Sequence, residues 1–162
     1  MEEHVGAIWH RVITRIADRR YPQAAVDLGD VAQTAGILFR ALGGDGGLEV
    51  CAAEATAHGA RRGLLQRVAG IGERIELAWR DERTLRLPPV IDCFPEVCLN
   101  RDLYLWLAAL AVHQPPVAMD WISAAQWMTL RTLARFPGLR PRYRRLVAAH
   151  LALRPDPARI PD

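Results

Sequence analysis

From Leu103 to Val112 the chain carries no charged residue. Leu103, Trp106, Leu107 and Leu110 form one stripe at helical spacing, and Tyr104, Leu105, Ala108, Ala109 and Val112 fill the other faces. A helix apolar on every side must be buried. It is too short to span a bilayer, which needs about 20 apolar residues. The rest of the fold therefore has to wrap around this segment. A proline-punctuated loop, LPPVIDCFPEVC, precedes it. Asn100 is the predicted N-cap, since its side-chain oxygen can accept from the first-turn amides, and Arg101 and Asp102 fall in that first turn.

At 162 residues, the chain is long enough for one domain that buries about 70% of its unfolded surface. It needs no metal or disulfide to fold. The formal charge is +3, and all 21 basic residues are arginine. A charge so near zero gives little field to steer nucleic acid. Cys51, Cys93 and Cys98 are odd in number and form no CxxC pair. They are expected to be buried thiols in a reducing compartment. The start, MEEHVGAIWH, is acidic where a signal peptide would be basic, so a cytoplasmic location is expected.

Periodicity supplies the elements. Val5, Ile8, Trp9, Val12, Ile13 and Ile16 predict a helix that stops before Tyr21-Pro22. Leu28, Val31, Ala35, Leu38, Phe39 and Leu42 predict a second, starting near Asp27 and ended by Gly43-Gly44. GGDGG (43–47) lacks the Gly-Lys-Ser/Thr ending of a phosphate loop and is read as a turn. Leu48, Val50 and Ala52 alternate as a short strand, and Arg61 to Val68 predict a short helix. Apolar residues then alternate at Ile75, Leu77 and Trp79 and again at Leu85 and Leu87, across Asp81-Glu82-Arg83. This predicts an antiparallel hairpin, extended to three strands by the one at Leu48. The competing reading is one amphipathic helix from Gly72 to Leu87. After Pro115-Pro116, a helix is expected from Asp120 to Arg135, with Trp121, Ala125, Met128 and Thr132 on its inner face and Leu130, Leu133 and Ala134 widening it. The last helix opens at Pro141, with Tyr143, Leu146, Val147, His150 and Leu151 inward. The fold class is mainly α (α+β): a helical domain over 1–153, then a proline-rich linker, 154–162, leading to a C-terminal region outside the chain.

Catalytic patterns are missing. His4, His10, His58, His113 and His150 form no HExxH, and none pairs with cysteine at zinc-finger spacing. Ser123, the one serine, sits mid-helix, outside any GxSxG elbow. Glu73, Glu76, Asp81 and Glu82 read as solvated carboxylates of the hairpin. No catalytic, cofactor-binding or metal-ligating residue is assigned. The most basic cluster is Arg140, Arg142, Arg144 and Arg145, with Tyr143 between them. It is either a solvated helix face or a surface for an acidic protein or a stacked base.

Five stretches carry a family resemblance: EEHVGAIWHRVITR, AAVDLGDVAQTAGILFRALGGDGGL, HGARRGLLQRVAG, RIELAWRDERTLRLPPVIDCFPEVCLNRDLYLWLAALA and RFPGLRPRYRRLVAAHLALRP. Together they resemble the N-terminal region of the CbbO/NorD proteins, large von Willebrand factor A (VWA) domain partners of MoxR-class AAA+ ATPases. In that family CbbO works with the hexameric ATPase CbbQ as a Rubisco activase, and NorD serves nitric oxide reductase maturation. The family's DxSxS adhesion motif and any Walker motif are absent from this sequence. The resemblance therefore implies a non-catalytic interaction or scaffold domain without a cofactor of its own; a divalent metal is implied only for the VWA domain. The implied partners are a hexameric CbbQ-like ATPase and, through the full-length protein, Rubisco, with no membrane. The matched strings favour the CbbO branch. Arg140, Arg142, Tyr143, Arg144 and Arg145 are the expected partner contacts, and nucleic-acid binding through them is the reading from a different class.

Overall fold

The computed structural model describes residues 20–52, 79–80, 84–114 and 121–154. In chain order these form β1 (Val26–Asp27), α1 (Leu28–Ala41), β2 (Glu49–Ala52), β3 (Trp79–Arg80), β4 (Thr84–Leu87), β5 (Val90–Ile91), α2 (Val97–Leu110), α3 (Trp121–Arg135) and α4 (Arg140–Ala152). Short 3-10 turns lie at Pro22–Ala24 and Pro137–Leu139. The class is mainly α with small sheets, as the periodicity predicts. The predicted helices at Val5–Ile16 and Arg61–Val68, the hairpin positions 75–78 and 81–83, and residues 155–162 lie outside the described residues.

The uncharged run becomes α2, and every residue from Leu103 to Leu110 is at most 8% exposed. Helices α1, α3 and α4 all pack on it, as do β4 and β5. One expectation is corrected here. The helix starts at Val97, with Glu96 in the N-cap position and no side-chain cap. Asn100 lies inside the first turn, where the core claims its amide. Its Oδ1 accepts the Phe94 N–H (2.9 Å). Its Nδ2 donates to the carbonyls of Ala24 (2.7 Å) and Phe94 (2.9 Å). Four residues on, the Tyr104 hydroxyl donates to the Pro88 carbonyl (2.8 Å), with the Val26 carbonyl 3.2 Å away. Two polar side chains thus tie the flanking segments to the helix, and the buried carbonyls of Ala24, Phe94 and Pro88 each receive a donor.

Helix α1 buries Leu28, Val31, Ala35 and Phe39. Its close approach to β2 passes over Gly36, where a Cβ would lie 3.2 Å from Val50 Cγ2. It ends as predicted: Gly43 takes φ +94°, a left-handed conformation that glycine adopts cheaply. A Cβ on Gly44 would run into the Phe39 ring. Asp45 Oδ1 then accepts the Gly47 N–H (2.9 Å), which makes GGDGG a side-chain-braced turn.

The strands form two small sheets. In the first, β1 and β5 pair antiparallel, with Val26 opposite Ile91. In the second the order is β2-β4-β3. The predicted hairpin is present where described, β3 against β4 with Arg80 opposite Leu85. Leu85 and Leu87 are fully buried while Thr84 and Arg86 are half-buried, the period of two that predicted the strand. The third strand adds in parallel, Val50 opposite Leu85, so the sheet is mixed. Parallel pairing needs a crossover of a dozen or more residues, and residues 53–83 supply that length.

Three burial expectations change. On α3, Ala125, Met128 and Thr132 face the core, but Leu130 is 68% exposed and Ala134 is exposed. On α4, Leu146 is buried, with Tyr143, Ala149 and Leu153 packed beside it. Val147 and Leu151 point outward, because α4 meets α2 along the 143/146/149/153 line. Of the cysteines only Cys93 is buried; Cys51 is half-buried and Cys98 exposed. Cys98 lies on the outer side of the first turn of α2, where its Sγ reaches Glu96 Oε2 at 3.5 Å. Burial, then the neighbouring Asp92 charge, pushes the Cys93 thiol up to about 11.

Candidate functional site: an arginine-rimmed groove between two helices

Phe136-Pro137-Gly138 ends α3 and the 3-10 turn leads directly into α4. Both helices pack on α2 and on this turn, but among the described residues they barely touch each other. The gap between them is an open groove of about 410 Å³. Leu130, Leu133 and Ala134 of α3 form one wall; Arg140, Tyr143 and Arg144 of α4 form the other. Tyr143 is held against the core by the Trp106 ring, centroids 4.8 Å apart and tilted by 38°. Arg140 Nε donates to the Leu133 carbonyl (3.3 Å), one of the carbonyls the last turn of α3 leaves unpaired.

The five residues singled out in the sequence divide into two groups. Arg140, Tyr143 and Arg144 line the groove. Arg142 and Arg145 turn to Asp102 instead, Nε to Oδ1 at 2.7 Å and Nη2 to Oδ2 at 2.7 Å. The two guanidiniums clamp α4 onto the second turn of α2. Burial by itself would raise the Asp102 carboxyl, but the hydrogen bonds and charges of Arg145 and Arg142 outweigh it and hold the pKa below the ordinary carboxylate value. The sequence carried a signal for this. A carboxylate that adjoins the uncharged, buried run from Leu103 needs cations nearby.

A second depression of about 430 Å³ opens on the other side of Ala134, lined by His113, Trp127, Arg131, Ala134 and Arg135. The His113 ring meets Trp127 edge-on at 6.3 Å and lies 6.1 Å from Phe136. The Arg131 guanidinium sits 5.1 Å over the Trp127 ring, a cation–π contact. The Arg135 guanidinium lies 5.5 Å over Phe136. Burial first, then the charges of Arg135 and Arg131, lower the His113 pKa. Its Nε2 is buried with no hydrogen-bond partner. In the sequence His113 is one of five scattered histidines; only the fold brings it beside Trp127 and the two arginines.

Among the described residues, no group of three His, Cys, Asp or Glu side chains gathers as a metal site. No described helix is long and apolar enough to cross a membrane. The groove instead offers apolar wall, aromatic ring and guanidinium, the groups of recognition.

Fold and groove together define a small, mainly α domain with an open, arginine-rimmed face. Over 161 residues it is 47% identical to a protein named NorD from Stutzerimonas stutzeri, a match spanning 99% of this chain and 26% of that protein. It is 45% identical to a Pseudomonas aeruginosa protein described as uncharacterized, over 96% of this chain and 25% of that protein. It is 40% identical to a protein named NorD from Brucella abortus, over 96% of this chain and 26% of that protein. The chain is thus related along its whole length to proteins named NorD, and it spans about a quarter of the length of these relatives. No family model matches the chain, and neither does any solved structure.

Proposed function

We propose that this chain is a non-catalytic interaction domain of a NorD-type protein that serves nitric oxide reductase maturation with a MoxR-class AAA+ ATPase. The observation that carries the reading is the name NorD on relatives 40–47% identical over 96–99% of the chain. It favours the NorD branch over the CbbO and Rubisco branch expected from the matched strings. The sequence has no Walker lysine and no DxSxS motif, so the proposal gives it neither ATP hydrolysis nor metal-dependent adhesion. Its part is docking in the cytoplasm, with Arg140, Tyr143 and Arg144 as contacts on the groove side.

The test uses the full-length protein in a denitrifying host whose own copy has been removed. Wild type is compared with a version lacking these 162 residues. The deletion is expected to reduce nitric oxide reductase activity in membranes to the level of the empty host, and to abolish co-purification of the ATPase. Full reductase activity with the deletion would falsify the proposal.

A further inference from the structure

Trp127, Leu130, Arg131 and Ala134 recur at i, i+3, i+4 and i+7, so they share one outward face of α3. That face joins the groove to the His113 depression, since Ala134 lines both. Its centre is apolar: Leu130 is 68% exposed, with Leu133 and Ala134 beside it. Its edges are cationic: Arg131, Arg140 and Arg144 are exposed, and no carboxylate of the described residues pairs with them.

We infer that this continuous surface is a docking site for an acidic amphipathic helix of a partner protein. The inference rests on the reading of the domain as an interaction module and names the chemistry of what it binds. Two helices that diverge from a shared turn leave a trough that a third helix can fill, packing one apolar stripe onto Leu130, Leu133 and Tyr143. Glu or Asp on either flank of that stripe meets Arg140 and Arg144 on one side and Arg131 on the other.

Charge complementarity and ring geometry favour this occupant. A second copy related by a two-fold axis would set the same patch against itself, arginine facing arginine. A nucleic-acid strand needs exposed rings on which bases stack. Tyr143 already packs on Trp106, and Trp127 is covered by Arg131 and edged by His113.

The experiment selects a random displayed-peptide library on the immobilised 162-residue chain, after circular dichroism shows its helices formed. Enriched peptides are expected to carry Glu or Asp flanking Leu, Ile or Phe at helical spacing. Their affinity should weaken about tenfold in the double variant Arg140→Glu/Arg144→Glu, and also in Leu130→Ser, whose exposed position leaves folding intact. The same affinity should fall with added salt, since rim charges are screened over a Debye length of about 10 Å at 0.1 M. A single charge reversal on α1, Arg40→Glu, should leave it unchanged. Enrichment without acidic bias overturns the inference, and so does binding that survives the groove variants. A chain that self-associates through Leu130, or binds an RNA oligonucleotide through Arg140 and Arg144, overturns it in favour of that occupant. None of these outcomes depends on nitric oxide reductase, so the inference and the proposed function fail separately.

Discussion

Asn100 is where three segments of chain converge. Its amide holds the Phe94 N–H, the Phe94 carbonyl and the Ala24 carbonyl, all buried. Removing a buried hydrogen-bonding side chain leaves its partners desolvated, at about 1–3 kcal/mol for each unsatisfied group. Asn100→Ala is therefore expected to lower unfolding free energy by about 3 kcal/mol, read as a shift of the urea midpoint at constant slope. A change under about 0.5 kcal/mol, the size of an ordinary surface substitution, would remove Asn100 from the network. Asn100→Asp keeps the acceptor and buries an acid, so relative to wild type it should regain stability as pH falls and the carboxyl becomes protonated. Local pattern misread this residue for a physical reason. Capping and core anchoring both need a short side chain with an amide or carboxyl oxygen. The local sequence around Asn100 gives no hint of Ala24, which is remote in the chain.

Among the elements, the helices and their stops were the legible part. Stripes at a 3.6-residue period marked α1, α2 and α3, while Gly43 and Phe136-Pro137-Gly138 marked the ends of α1 and α3; Pro115-Pro116, the expected break after α2, lies outside the described residues. The face of α4 was harder to read. Val147 and Leu151 are as apolar as Leu146, and only the Asp102 clamp and the Trp106–Tyr143 contact fix which line turns inward. Parallel pairing of β2 with β4 was not legible at all, because strands far apart in sequence carry no local mark of register. The groove was half legible. The arginine cluster stood out, yet its division between Asp102 and the open face depends on how α4 rotates against α2. That contact predicts a measurable coupling. Trp106→Ala is expected to cost about 3–5 kcal/mol as a core aromatic truncation. In a double-mutant cycle with Tyr143→Leu, the ring pair should contribute about 0.5–1.5 kcal/mol beyond the two single losses. Strict additivity would mean that α4 docks on α2 without this pair.

At the scale of the whole molecule, three titratable groups lie in or beside the helices that pack on α2. His113 follows α2 and packs against Trp127 and Phe136; His150 lies on α4 next to Arg154; Asp102 joins α2 to α4. Burial is the main cause that lowers the pKa of both histidines, with nearby arginine charge adding to it. The folded protein then binds fewer histidine protons than the unfolded chain. Their contribution to stability is complete above the unfolded value of 6.5 and is lost as pH falls from there through the lowered folded values. Asp102 also has a lowered folded pKa. Its contribution is complete above the ordinary value of 3.8 and is lost at pH below that. The melting temperature is therefore expected to hold level from pH 8 to pH 7, decline below about 6.5 and decline again below about 4. In a His113→Gln/His150→Gln variant the first decline should shrink while the second persists. In Asp102→Asn the second should shrink instead. The measurement is a series of thermal melts at fixed ionic strength. A first decline of undiminished size in the double-histidine variant would show that these two histidines do not carry the acid sensitivity. Because Asp102 joins α2 to α4 and His113 joins the end of α2 to α3, acid is expected to weaken one cooperative unit, with a single transition at every pH.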